Sequence, residues 1–225
     1  GAGRPELIEK LVPSSVASSE SLGDVSESLM LPEEAAVVTN AVAKRRREFG
    51  TVRHLARQAL AELGIDPVPV LPGDQRAPIW PAGIVGSMTH CNGYRAAVVA
   101  RTSDVHSVGI DAEPHGPLPE GVLEAVTVPE ELPRLAALSA TDPTVHWDRM
   151  LFCAKEAVYK TWFPLTGAWL GFEEASVTLL PGGAFYAQLL VPGPWVGNTE
   201  ITGFTGLWLV EDDLVITAIT VPVAG

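Results

Sequence analysis

Apolar side chains recur at helical spacing through residues 49–63. Phe49, Val52, Ala56, Ala59, Leu60 and Leu63 fall on one stripe when each residue turns by about 100°. Leu31-Pro32-Glu33-Glu34 opens this helical region, with proline in the first turn and acids at the positive end of the dipole. Gly50 is its weak point and Gly64 its stop. After a proline-rich connection at 67–81 come three short apolar runs, 84–90, 94–101 and 105–113. The hairpin-sized turns Cys91-Asn92-Gly93 and Thr102-Ser103-Asp104 separate them, which predicts an antiparallel meander. Residues 114–143 hold short helices. A second strong helix covers 144–163, with Trp147, Met150, Leu151, Ala154, Val158 and Trp162 on one face and Pro164 and Gly167 at its end. Residues 177–180, 184–191, 204–210 and 214–221 read as hairpin strands. The Ser-, Gly- and Glu-rich residues 1–31 read as a loosely packed arm.

The pattern predicts an α+β protein. Residues 1–113 and 114–225 each contain a long helix and a small antiparallel sheet. No internal repeat of sequence is evident, but the shape is that of a duplication, which places a site in the cleft between the halves.

Composition narrows the class. With 47% apolar and 19% charged residues among 225, the chain is globular. No apolar run reaches the roughly 20 residues of a membrane span, and no cleavable leader opens the chain, Gly1-Ala2-Gly3 reading as a tag remnant. Cys91 and Cys153 have no metal-ligand spacing and read as free thiols of a cytoplasmic protein. A net charge of −12 argues against a nucleic-acid binder. Seven of the fifteen basic residues nevertheless lie between Lys44 and Arg76, so any anion site is local. Arg46, Arg53 and Arg57 border the apolar stripe and Arg45 points towards it, whereas Arg47 lies opposite. Guanidiniums in that position either line a pocket for phosphate or carboxylate or snorkel over apolar surface.

Candidate chemistry centres on Val108–Glu113, Val-Gly-Ile-Asp-Ala-Glu. Strand geometry puts Asp111 and Glu113 on one side, about 6–7 Å apart along the chain, able to share a hard cation such as Mg²⁺. A polar strand end running into a turn is the plainer reading. On the second helix Glu156 and Lys160 lie one turn apart between Phe152 and Phe163, which suggests a helix covered on both sides; an i,i+4 ion pair on an exposed face is the plainer reading. His90 ends the first strand of the meander, where it is either structural or a phosphate donor.

Taken together, Gly-Ile-Asp-Ala-Glu at 109–113 and Phe-Cys-Ala-Lys-Glu-Ala-Val-Tyr-Lys at 152–160 resemble the 4′-phosphopantetheinyl transferases of the Sfp-like, single-chain class. Residues 147–171 are similar to the subgroup found with actinobacterial polyketide and non-ribosomal peptide synthases, and the arginine-rich helix and residues 87–91 fit it too. The resemblance covers about 33–220. It implies the pseudo-dimeric fold of that family and transfer of phosphopantetheine from coenzyme A to a serine of acyl or peptidyl carrier proteins, releasing adenosine 3′,5′-bisphosphate. Asp111, Glu113 and Glu156 would hold Mg²⁺, or Mn²⁺ in its place. Lys160 would neutralise phosphoryl charge, and Glu156, or a water it orients, is the candidate base, secondary to its ligand role. Arg45, Arg53 and His90 match positions that hold the 3′-phosphate or pyrophosphate, and Lys155 a position near the nucleotide. Relatives place lysines in the loop matching residues 71–76, where this chain has Pro72 and Gln75 and only Arg76 as a cation.

The expected carrier is acidic, so docking on this acidic chain rests on an apolar patch, with the aromatic segment 162–169 as the candidate, plus local cations. Two halves in one chain imply a monomer, with no nucleic-acid or membrane partner. Two competing readings use the same residues: a Mg²⁺-dependent nucleotide pyrophosphate hydrolase, and a non-catalytic module that binds coenzyme A or carriers.

Overall fold

The computed structural model describes residues 6–224; residues 1–5, with the Gly1-Ala2-Gly3 stretch, and Gly225 lie outside it. In chain order the first elements are strand β1 (Val16–Ser21), helices α1 (Pro32–Val37) and α2 (Ala43–Glu62), and the two-residue strands β2 (Leu71–Pro72) and β3 (Pro78–Ile79). Strands β4 (Ile84–Cys91), β5 (Tyr94–Arg101) and β6 (Val105–Pro114) follow, then helices α3 (Val122–Val126), α4 (Glu131–Thr141) and α5 (Trp147–Thr166). The chain ends with β7 (Ala175–Leu179), β8 (Ala184–Leu189), the short β9 (Trp195–Val196) and β10 (Thr199–Glu200), β11 (Gly203–Glu211) and β12 (Leu214–Pro222).

Two antiparallel sheets carry the fold. One has the order β1-β5-β4, the other β6-β12-β11-β8-β7. Alternation along β5 shows how they pack. Tyr94, Ala96, Val98 and Ala100 face a core shared with Val108, Ile110 and Ala112 of β6 and with Leu214, Ile216 and Ala218 of β12. On the other face of β5, Ala97 and Val99 meet Leu55, Ala56, Ala59 and Leu60 of α2. Buried on both faces, β5 needs its nearly continuous apolar run, Ala-Ala-Val-Val-Ala. Helix α5 covers the second sheet, setting Trp147, Met150, Leu151, Ala154 and Val158 against Val177, Phe185, Ala187, Phe204, Val215 and Ile219.

Several expectations are corrected. The described part of the arm, from residue 6, is packed: Leu7, Ile8 and Leu11 are buried, and β1 pairs along β5 from Val16 opposite Ala100 to Ser21 opposite Arg95. The first helical region breaks at residues 38–42, before α2, and runs unbroken through Gly50, whose missing side chain makes room for Met30. The three runs form no meander. β4 and β5 are a hairpin, but β6 pairs with β12 of the other sheet, Asp111 opposite Thr217 and Glu113 opposite Val215. The strand assigned to the first half by position is thus hydrogen-bonded within the second sheet. Helix α5 continues past Pro164 to Thr166, and Gly167 caps it in the left-handed region at φ 64°.

A repeat does exist in the sequence, and the structure gives it a purpose. Leu31-Pro32-Glu33-Glu34 and Val128-Pro129-Glu130-Glu131 each end in a fully buried glutamate. Glu34 accepts from Leu31 N at 3.0 Å, Val70 N at 2.9 Å and Arg57 Nη1 of α2 at 2.5 Å. Glu131 accepts from Val128 N, Val177 N and Lys155 Nζ of α5, each at 2.7 Å. Each carboxylate ties its own local turn, one strand or loop amide, and the cation of one long helix. A buried charge stripped of its partner costs about 3–5 kcal/mol. Glu34→Ala, which orphans Arg57, is therefore expected to lose about that much in equilibrium urea unfolding; a change indistinguishable from zero would contradict this role.

Candidate functional site

Position 109 sets the site's geometry. A Cβ there would collide with the Thr161 hydroxyl and the Ala157 carbonyl, so glycine lets α5 lie directly on β6. The odd-numbered residues of β6 face that helix. Ser107 Oγ donates to Thr161 O at 2.8 Å, Asp111 Oδ1 accepts from Lys160 Nζ at 3.1 Å, and Glu113 Oε1 stands 3.4 Å from Arg149 Nη1. The two carboxylates thus share one face, as strand periodicity predicts.

β4 runs beside β6 without a backbone ladder. Side chains close the gap: Ile110 N donates to Ser87 Oγ at 3.1 Å and Ala112 N to Thr89 Oγ1 at 3.2 Å. Lys160 spans the same seam. Its ammonium donates to Met88 O of β4 at 3.1 Å and Ile110 O of β6 at 3.0 Å, besides Asp111. All three ammonium protons are committed, so Lys160 contributes its positive field here, and among the described residues it pairs with Asp111 rather than Glu156.

Next to this seam lies a cavity of about 560 Å³. Arg45 and Arg53 of α2, Arg76, His90, and Glu156, Tyr159, Lys160 and Phe163 of α5 are among its lining residues. Arg53 is buried with its guanidinium 3.4 Å from the centroid of the Phe49 ring. Its Nε donates to Val70 O at 2.8 Å and its Nη1 contacts Phe49 O at 3.4 Å, leaving Nη2 without an acceptor among the described residues. Burial lowers its pKa to about 10, against the pull of Glu34, so it remains charged at neutral pH. Arg76 enters from a loop in which Gln75 and Arg76 both have left-handed backbones, φ 53° and 62°.

The other expected cations lie elsewhere. Arg57 is engaged by Glu34, and Arg46 by Glu27 Oε1 at 2.7 Å, so of the three arginines edging the stripe only Arg53 reaches the cavity. Lys155, expected near the nucleotide, has its ammonium buried against Glu131 and donating to Phe172 O at 2.8 Å, and it lines a smaller neighbouring cavity rather than the main one. The aromatic segment 162–169 also divides. Trp162 is core and its indole N–H donates to Ala168 O at 3.0 Å, whereas Trp169 is 69% exposed. Tyr159, 5.2 Å from Trp169 between ring centroids, lines both the main cavity and a smaller one of about 180 Å³, and Glu156 lines both as well.

The acids are under-neutralised. Burial and the fields of Asp111 and Glu113 push Glu156 up to about 7, with Lys160 opposing. Burial also raises Asp111, against Lys160, and raises Glu113, helped by Asp111 and opposed by Arg149. Glu156 makes no ion pair among the described residues. An all-oxygen, electron-rich set with two nearby cations is chemistry that suits a hard divalent ion, although as placed no three His, Cys, Asp or Glu groups among the described residues form a ligand cluster.

Glu34, Glu131, Tyr159 and Arg149 have positions here that periodicity did not single out. The repeated Pro-Glu-Glu was the available signal for two of them. No helix is long and apolar enough to cross a membrane among the described residues.

Residues 33–100 match the family model of the 4′-phosphopantetheinyl transferase N-terminal domain, and residues 107–217 that of the 4′-phosphopantetheinyl transferase superfamily. The chain is 53% identical to 4′-phosphopantetheinyl transferase Svp of Streptomyces mobaraensis over 96% of its own length and 89% of that protein. It is 49% identical to transferase Npt of Nocardia iowensis, covering 95% of this chain and 99% of that one. Transferase PptT of Mycobacterium tuberculosis is also 49% identical, over 95% of this chain and 97% of PptT. The chain belongs to the 4′-phosphopantetheinyl transferase superfamily and is an enzyme of that class.

Lys155→Met is expected to destabilise the fold by about 3 kcal/mol or more, because it leaves Glu131 buried and unpaired, while the folded variant binds coenzyme A within a few-fold of wild type. A large rise in the dissociation constant without loss of stability would return Lys155 to the nucleotide.

Proposed function

We propose that the enzyme moves the 4′-phosphopantetheine group of coenzyme A onto a serine of apo acyl or peptidyl carrier proteins, in a cleft between two similar halves, and releases adenosine 3′,5′-bisphosphate. The observation that carries this reading is one cavity in which Arg45, Arg53, Arg76 and His90 meet Glu156 and Lys160 of α5. Cations from one sheet-and-helix unit suit the phosphates of the donor. Carboxylates from the other suit a metal and a proton transfer. The repeated buried glutamate, each tied to its own long helix, supports two units built on one plan.

Arg45 and Arg53 would hold phosphate oxygens, Arg53 through an Nη2 that has no acceptor among the described residues. Arg76 takes the place of the lysines expected in its loop. Asp111, Glu113 and Glu156 are the residues that would hold Mg²⁺ or Mn²⁺, which when bound lowers the charge on the diphosphate. Lys160 holds Asp111 in place and adds a positive field beside the phosphoryl group. In the transfer the serine Oγ–P bond forms, the diphosphate P–O bond breaks, and the serine proton leaves. Glu156 would receive that proton directly or through a water, a role secondary to ligation because a metal-bound carboxylate is a weak base. The smaller cavity beside Tyr159 offers apolar walls to the pantetheine arm, and Trp169 at its rim, with the local cations, offers the carrier a docking surface.

Intact-mass spectrometry of an apo carrier incubated with coenzyme A and enzyme should show one added phosphopantetheine. Chelation of divalent ions should lower the rate at least about a hundredfold with the melting midpoint retained; Asp111→Ala should lower it as far in the folded protein, with some loss of stability because Lys160 loses its counter-charge. Full activity in Asp111→Ala would refute the assignment, and loss of coenzyme A without carrier would favour a pyrophosphate hydrolase. Arg45→Gln should raise KM for coenzyme A about tenfold with little change in kcat, as expected for a lost charge-assisted hydrogen bond.

A further inference from the structure

Glu48 has no part in the roles assigned above, and it does not line the cavity. It lies on α2 beside the histidine that does. Its Oε2 stands 3.2 Å from His90 Nε2, and its Oε1 is 3.9 Å from both Arg95 Nη2 and Lys44 Nζ. Arg95 is itself anchored on Asp24, Nε to Oδ1 at 2.8 Å. The carboxylate beside the ring therefore lies in the field of a buried arginine that is held on another acid.

A carboxylate beside Nε2 keeps a proton on that nitrogen. In the neutral ring, Nδ1 is then a bare lone pair, which repels an oxyanion. Only the doubly protonated ring offers an Nδ1–H to a phosphate. The charged groups facing this ring are Glu48 and Arg45 from α2, Arg95 from β5 and Lys160 from α5. In the free protein burial and the three cations hold His90 below its ordinary value, and Glu48 opposes them. A phosphate in the cavity adds negative charge and reverses that balance.

We propose that Glu48 is a positioning residue that turns His90 Nε2 towards the protein and stabilises its imidazolium, so that binding of a phosphate in the cavity is coupled to uptake of a proton by His90. The inference rests on the reading of the cavity as the coenzyme A site and adds a proton to its binding equilibrium. The complex then holds more protons than the free enzyme. Affinity rises as pH falls between the bound and free pKa values, and is flat below the free one.

The test is titration calorimetry of coenzyme A into the enzyme with excess Mg²⁺, at about pH 7.5, in buffers of different ionisation enthalpy. Wild type should take up measurably more protons on binding than either Glu48→Gln or His90→Asn, because the carboxylate beside the ring favours its protonated form. Glu48→Gln should bind about tenfold more weakly with an unchanged melting midpoint, and Glu48→Asp should restore part of the uptake. Equal proton stoichiometry in wild type and Glu48→Gln, with binding intact, overturns the inference and leaves the coenzyme A reading standing. No binding by wild type overturns both. Should Glu48→Gln not fold, the wild-type pH profile decides, and a flat dissociation constant between about pH 6 and 8 overturns the coupling.

Discussion

A single ammonium sits where the two sheets meet. Lys160 bonds one carbonyl from each of two edge strands and one carboxylate, and these strands share no ladder of their own. A partly buried charge is tolerable only when its protons are placed and a counter-charge stands beside it, and both conditions hold here. The same contact sets the height of Asp111 relative to α5, and so its relation to Glu156 one turn earlier on the helix. In the proposed mechanism, structure and chemistry depend on the same atoms. An ammonium fully engaged with protein acceptors acts on a substrate through its field more than through hydrogen bonds.

Much of this was legible in the residues. Period-two geometry put Asp111 and Glu113 on one face, and helical periodicity found the buried stripes of α2 and α5. Lys155 and Lys160 were harder. Five residues separate them, which on a helix places them about 140° apart, so one goes under the second sheet's cap and the other to the seam. Nothing local says which, because the choice depends on Glu131, brought in by a separate helix. Arg57 and Arg53 differ for the same reason. They are one turn apart, and Glu34 claims only one of them.

The sheet assignments failed for a different reason. A turn-sized interval between β5 and β6 reads as a hairpin, yet β6 finds β12 a hundred residues later. Length of a connection limits neighbours without choosing them. The N-terminal segment was misjudged because Val-Ala-Ser-Ser-Glu-Ser shows little apolar alternation. Its place is decided by the open edge of β5 and by Glu20, which accepts from the amides of Leu7 and Ile8 and from the Tyr94 hydroxyl. Polar residues there do the work that apolar patterning would otherwise signal.

The hydroxyls that stitch β4 to β6 restrict how this lineage can drift. A backbone ladder is indifferent to side-chain identity, whereas here Ile110 and Ala112 have amides that depend on Ser87 and Thr89. Exchange of either hydroxyl for a methyl strands an interior donor, a defect no neighbouring strand can repair. Serine and threonine can replace one another at such a joint with little loss, but the joint is closed to the aliphatic residues that any ordinary strand would welcome.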